Sequence, residues 1–64
     1  MRRVSIEFEA DNAAFVDDPE GSLNHIFAQA AKMLVNSLEH SILGGKVLWD
    51  LSGNQVGWVS VLEE

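Results

Sequence analysis

Sixty-four residues, ten of them acidic against four Lys and Arg and with no Cys, describe one small domain of formal charge −6. A chain this short hides only about 60% of the surface its unfolded form exposes. Lacking disulfides and thiolate metal ligands, it depends on tight packing or on a second copy for stability. The acidic balance argues against a nucleic-acid binder, which needs a basic surface, and 47% hydrophobic residues argue against a disordered tail.

Met1-Arg2-Arg3 is followed too soon by Glu7 and Glu9 to read as a signal peptide, and no apolar run approaches the roughly 20 residues of a membrane span. The expectation is a cytoplasmic protein without a membrane partner. Val4 to Ala10 alternates, with Val4, Ile6, Phe8 and Ala10 on one side and Ser5, Glu7 and Glu9 on the other, the period of a half-buried strand. Asp11 to Asp18 reads as a loop in which Phe15 and Val16 are available as anchors. Asp18-Pro19-Glu20 then starts a helix: Asp caps the orphan N–H groups, Pro fits the first helical position, and Glu suits the positive end of the dipole; Gly21 weakens that first turn, which leaves Ser22 as the alternative start. Leu23, Ile26, Phe27, Ala30, Leu34 and Leu38 recur at spacings of three and four and form its apolar stripe. Met33 and Val35 fall off that stripe as surplus apolar groups. Gly44-Gly45 is expected to end the helix, giving it a length of roughly 35 Å.

Lys46 to Leu62 reads as a hairpin of Val47–Leu51 and Val56–Leu62. A two-residue Gly53-Asn54 loop would pair Leu51 with Val56, Asp50 with Gly57 and Trp49 with Trp58, and would set Leu48 opposite Val59. The expected fold is therefore α+β, in the order β-α-β-β. It is a three-stranded antiparallel sheet, ordered 1-3-2, with one long helix packed on one face, as a single domain over residues 1–64. Both faces of the hairpin are apolar. Val47, Trp49, Leu51, Val56 and Trp58 share one; Leu48, Val59 and Val61 share the other. Only one face can meet the helix, so the uncovered one becomes a candidate interface.

No catalytic arrangement emerges. His25 and His40 lie about 22 Å apart along one helix and point in different directions, so they read as solvated side chains. Asp17, Asp18 and Glu20 lack the alternating oxygen ligands and closing Glu of a calcium loop. The serines have no adjacent base, and the glycines lack phosphate-loop spacing. The expectation is a protein that is not an enzyme and uses no metal or cofactor.

Acid is concentrated early: Glu7, Glu9, Asp11, Asp17, Asp18 and Glu20 all precede Lys32, with no Lys or Arg between Arg3 and Lys32. Glu7 and Glu9 share a strand face about 6.8 Å apart, close to the spacing of phosphates along a nucleic-acid strand. Rigid carboxylates at that spacing suit a groove lined with Arg and Lys. The plainer reading is a solvated face that keeps a small protein soluble.

Two stretches stand out: Phe8-Glu9-Ala10-Asp11-Asn12-Ala13-Ala14-Phe15 with the following Asp17-Asp18-Pro19-Glu20, and Asp50-Leu51-Ser52-Gly53-Asn54-Gln55-Val56-Gly57. Together they resemble a family of very small acidic proteins of bacteriophages and other mobile elements. In that family an acidic strand passes through a DNAAF loop into a helix, and a hairpin closes on a D-x-x-G-N-x-x-G turn. Some small acidic proteins of this kind are anti-CRISPR proteins, including DNA mimics that inhibit type I (Cascade) effectors. The resemblance spans most of the chain. It implies an inhibitor in the cytoplasm of a bacterial host that offers Glu7, Glu9, Asp11, Asp17, Asp18 and Glu20 as phosphate surrogates to the site where a Cas subunit reads the protospacer-adjacent motif. Trp49 or Trp58 would serve as an apolar anchor. The chain departs from the family pattern in carrying Trp49, Leu51 and Trp58 where many relatives are polar, which raises the weight of a hydrophobic contact or a homodimer. The alternatives are a phage structural or adaptor protein acting as a homodimer, with Trp49, Trp58, Met33 and Val35 as its surplus apolar groups, and an antitoxin-like inhibitor of a basic partner protein.

Overall fold

A computed structural model describes all residues, 1–64. Strand β1 (Arg2–Phe8) is followed by a short helix α1 (Ala13–Asp17), a long helix α2 (Pro19–Glu39), and strands β2 (Gly44–Trp49) and β3 (Gln55–Glu63). The strands form one antiparallel sheet in the order β1-β3-β2, with α2 against one face. This is the expected α+β architecture. The molecule is elongated, 38 × 17 × 16 Å, because a 21-residue helix is about 32 Å long and lies along the sheet.

β3 is the centre of the sheet. β1 pairs with it from Arg2↔Glu63 to Phe8↔Gly57, and Glu9 continues the ladder by donating its N–H to the Val56 carbonyl at 2.9 Å. The strand thus begins earlier than the expected Val4. β3 runs on to Glu63, and the Arg2 and Arg3 side chains lie beside Glu63 and Glu64 at 3.4 and 3.2 Å. Pairing sets Val4 beside Val61 and Ile6 beside Val59 on the helix-facing side. Gly57, opposite Phe8, is where the two strands come closest. A Cβ there would run into the Glu7 carbonyl oxygen and come within 2.6 Å of the Phe8 Cα.

The hairpin departs from the expected register. Leu48 faces Gly57, Val47 faces Trp58, and Trp49 faces Gln55 across a bulge between Leu48 and Trp49. The expected Trp49–Trp58 and Asp50–Gly57 pairs do not form, and Leu51 belongs to the turn and not to the strand. The cause is Asp50. Its Oδ1 accepts the N–H groups of Ser52 (2.9 Å) and Asn54 (2.8 Å), so the side chain organises a longer turn from inside. Up to Leu48 the register moves by two residues, which keeps Leu48, Val59 and Val61 on one face; beyond the bulge Val56, expected beside the tryptophans, packs instead against the core cluster. Leu48, Val59 and Val61 are buried under α2, while Trp49 and Trp58 stand on the open face, 45% and 50% exposed.

Two helix expectations also change. The presumed loop contains α1, because the Asn12 side chain accepts the Phe15 N–H (3.3 Å) as an N-cap. Phe15 is buried, while Val16 is 70% exposed and anchors nothing. Helix α2 begins at Pro19 with Asp18 as its cap, whose Oδ1 accepts the Gly21 N–H at 3.0 Å. It ends at Glu39, well before Gly44. The left-handed residue after the helix is Ser41 (φ 54°), and Ile42 donates back to the Ser37 carbonyl at 2.9 Å, the Schellman closure that usually uses Gly. Gly44 and Gly45 instead open β2.

The core is small. Phe15, Ile26, Ala30, Leu48 and Val59 form one buried cluster, flanked by Phe8, Met33, Leu34 and Val56. The helix face turned inward carries Ser22, Ile26, Ala30 and Ser37. Small side chains there let α2 approach closely, and Ser22 Oγ donates to the Ala14 carbonyl at 2.8 Å, tying α1 to α2. Much of the expected stripe is displaced outward: Leu23, Phe27 and Leu38 are 39%, 52% and 46% exposed.

Gly57→Ala tests the close approach of β1 and β3. Overpacking of this kind costs about 1–3 kcal/mol, and a domain of this size loses about 4–8 °C of Tm per kcal/mol. Thermal melts followed by circular dichroism should show that drop. An unchanged Tm would show that the strands have room to spare.

Candidate interaction surface

The two motif stretches meet at one end of the molecule. Asn12 Nδ2 donates to Asp50 Oδ2 at 2.7 Å, and Asn54 Nδ2 reaches the same oxygen at 3.3 Å. The Asp50 side chain is 3% exposed, and its donors leave the carboxylate no unmet need. Its pKa is held below the ordinary value near 3.8, first by the Asn54 backbone N–H and also by the Asn54 side chain, the Ser52 N–H and the Asn12 side chain, against the opposing effect of burial. Gly53 supplies the positive φ (83°) that the turn needs. Asp50, Gly53, Asn54 and Gly57 are therefore architectural, and so are Asn12 and Phe15.

Around that knot stand the early acids. β1 delivers Glu7 to the open face opposite Trp58, and Glu9 follows on the same ladder. Asp11 is exposed just before the α1 cap. Asp17, Asp18 and Glu20 are exposed at the α1–α2 junction, which Ser22 and the buried Phe15 hold against the same end: the Phe15 ring stacks on Phe8 at 5.9 Å. The six acids form two sets, one at the end of the sheet and one at the start of the long helix. Asp18 is also committed as the α2 cap.

Charge is segregated along the long axis. All three ion pairs lie at the opposite end, where the N-terminal ammonium and Arg2 meet Glu63 and Arg3 meets Glu64. None of the six early acids is in an ion pair. No group of three His, Asp and Glu side chains converges as a metal site, and no helix is long and apolar enough to cross a membrane.

Trp58 brings the acidic and aromatic features together. A small hollow of about 100 Å³ is lined by Glu7, Phe8, Glu9, Val56 and Trp58. From the sequence, the carboxylate row and the tryptophan face look like separate surfaces. The β1–β3 register makes them one, with Glu7 directly opposite Trp58 on β1 and Val47 opposite it on β2. Trp49 extends the face along β2. Gln29 anchors it from the helix, taking the Trp49 N–H and donating to its carbonyl, both at 2.9 Å. Gln29 is a residue that sequence reasoning passed over; its only signal is a polar side chain on the flank of an amphipathic helix.

No family profile matches the chain, and no curated protein or solved structure matches it.

Asp50→Asn puts an amide where Asn12 and Asn54 both donate. Because the folded pKa of Asp50 is depressed, its contribution is fully present above the ordinary value near 3.8 and is lost as pH falls through the folded value. The variant should be less stable than the parent near neutral pH, and the gap should close as the pH drops below that value. Urea titrations across this range read it; a gap independent of pH would remove the carboxylate from the account.

Proposed function

We propose that this chain is an inhibitor that docks its acidic end on a basic, nucleic-acid-binding surface of another protein, and that the surface belongs to a CRISPR effector of the type I kind. The observation that carries this reading is the charge segregation: six carboxylates gathered around one end without an ion pair, while the cations that do pair lie at the other end. Unpaired carboxylates held by a strand and a helix start keep their field for a partner, steer it in, and need little reorganisation on contact. The family resemblance of the two motif stretches supplies the CRISPR effector; the charges alone supply only a basic partner.

The hollow gives the contact its chemistry. An arginine of the partner would lay its guanidinium against the Trp58 ring with Glu7 and Glu9 at its edge as acceptors. Arginines that read the protospacer-adjacent motif present such planar, multi-donor groups to DNA. The protein would occupy them in place of the duplex, without itself binding nucleic acid. An antitoxin-like role would use the same contact, and the identity of the captured basic partner separates the two.

The test is competition between this protein and a motif-bearing duplex for a purified Cascade complex. The expected result is displacement of the duplex, weakening as salt rises through the range where the Debye length falls below about 10 Å. Glu9→Lys with Asp11→Lys should weaken it about tenfold or more while circular dichroism stays unchanged. Binding indifferent to salt and to this double reversal would overturn the electrostatic mechanism, and absence of any binding would remove the proposed target.

A further inference from the structure

The sheet has two edges, and they differ. Along β2, outward-pointing groups belong to Gly45, Val47 and Trp49, and the Trp49 pair is already taken by Gln29. Lys46 adds a charge of the kind that blunts an edge. Along β1, the odd-numbered residues bond inward: Glu9 donates to Val56, and the Met1 carbonyl accepts from Glu64. Alternation then directs the N–H and C=O groups of Arg2, Val4, Ile6 and Phe8 outward. Nothing covers them. The side chains of that strand are also unfinished: Val4 and Ile6 face the helix side yet remain 42% and 37% exposed, because α2 lies over β2 and β3. Phe27, whose ring meets Phe8 edge-on at 6.1 Å, marks the α2 flank on the same side and is 52% exposed.

The sequence of β1 says what fits this edge. About Ser5 it is self-complementary: Arg3 and Glu7 stand two residues to either side, Val4 and Ile6 one residue to either side. We infer that a second copy of this chain docks there, antiparallel, with Ser5 on a two-fold axis, to make a six-stranded sheet. In that register Val4 faces the partner's Ile6 and Arg2 faces the partner's Phe8, so the outward groups exchange backbone bonds. Arg3 faces the partner's Glu7 at the closely spaced, non-bonded positions where side chains approach most. Symmetry repeats each contact. Even residues face even residues, so both helices lie on one side of the joined sheet and the bare Val4, Ile6 and Phe27 surfaces merge. A register one step further along, centred on Ile6, keeps the helices together but sets Glu7 against Ser5. The inference does not rest on the CRISPR reading, but the two share Glu7, which in the dimer answers the partner's Arg3 and no longer serves as an acceptor beside Trp58. Its antiparallel geometry sends the two acidic ends apart: Glu9 falls opposite the partner's Met1, while Asp11, Asp17, Asp18 and Glu20 of each copy lie beyond the paired strands.

Sedimentation at about 50 µM should give twice the 7.0 kDa chain mass; a monomer overturns the proposal. Arg3→Glu and Glu7→Arg should each weaken the dimer about tenfold or more, through like charges facing across the axis, with the fold intact by circular dichroism. Mixed in equal amounts, the two variants should form a heterodimer, because each then offers the charge the other lacks. Dimers that survive both single changes place the interface elsewhere, the Trp face included, and overturn the register. Ser5→Cys is the second variant, needed if a charge change prevents folding. At the axis its Cα–Cα distance to the same residue of the partner falls near 4.5 Å, within disulfide reach. Mild oxidation should then give a cross-linked dimer on a non-reducing gel, while Ser52→Cys in the distant turn should not; failure of Ser5→Cys to cross-link contradicts the proposal.

Discussion

One helix cannot cover three strands. A helix with side chains is about 10–12 Å across, and strands lie about 4.8 Å apart, so α2 seals the β2–β3 pair and leaves the inner face of β1 open. Ten of the 64 residues are buried, and only six of those are apolar side chains of the core: Phe15, Ile26, Ala30, Leu48, Val59 and Val61. Everything else that is notable about the molecule follows from that shortage. The chain compensates with polar fastening, and its main fastener is Asp50, which accepts from the turn, from Asn54 and from the Asn12 cap at once. Gln29 and Ser22 fasten the helix to β2 and to α1 in the same manner. These hydrogen bonds locate elements that hydrophobic burial alone would leave loose.

The same shortage shapes the surface. Many apolar groups find no place in the core, among them Trp49 and Trp58 on the open face of the sheet and Val4, Ile6 and Phe27 on the flank of β1. The acids do not screen these faces uniformly. They cluster around the end where the motif stretches meet, while the cations of β1 pair with Glu63 and Glu64 at the opposite end. The result is a rod with an unpaired acidic end, an aromatic face that begins beside it, and one bare strand edge. The first two features suit a basic partner with planar cations; the third suits another copy of the chain.

Much of the architecture was legible in the residues. The alternation of Val4, Ile6 and Phe8 marks β1, Asp18-Pro19-Glu20 marks the start of α2, and the apolar residues of Lys46–Leu62 mark a hairpin whose middle position follows from antiparallel pairing. What was not legible came from side chains that act on distant backbone. Asp50 could not be known to fold into its own turn, so a two-residue loop and a Trp–Trp pair were expected in place of a bulge with Trp58 beside Val47. Ser41 took the left-handed position that Gly44-Gly45 advertised. The stripe Leu23, Phe27, Leu38 was read correctly as apolar but incorrectly as core, since Ser22 and Ser37 hold inward positions that polarity alone would send outward. Of the site, the carboxylates were visible as a local excess; their nearness to Trp58 depended on the β1–β3 register, which no local pattern contains.

Amide hydrogen exchange along β1 probes the bare edge most directly. The account predicts that Ser5 and Glu7, bonded inward to β3, are protected at every protein concentration, whereas Val4 and Ile6 exchange quickly in dilute solution and become protected as the concentration rises. Equal protection of neighbouring even and odd positions in dilute solution, or fast exchange of Val4 and Ile6 at all concentrations, would contradict it.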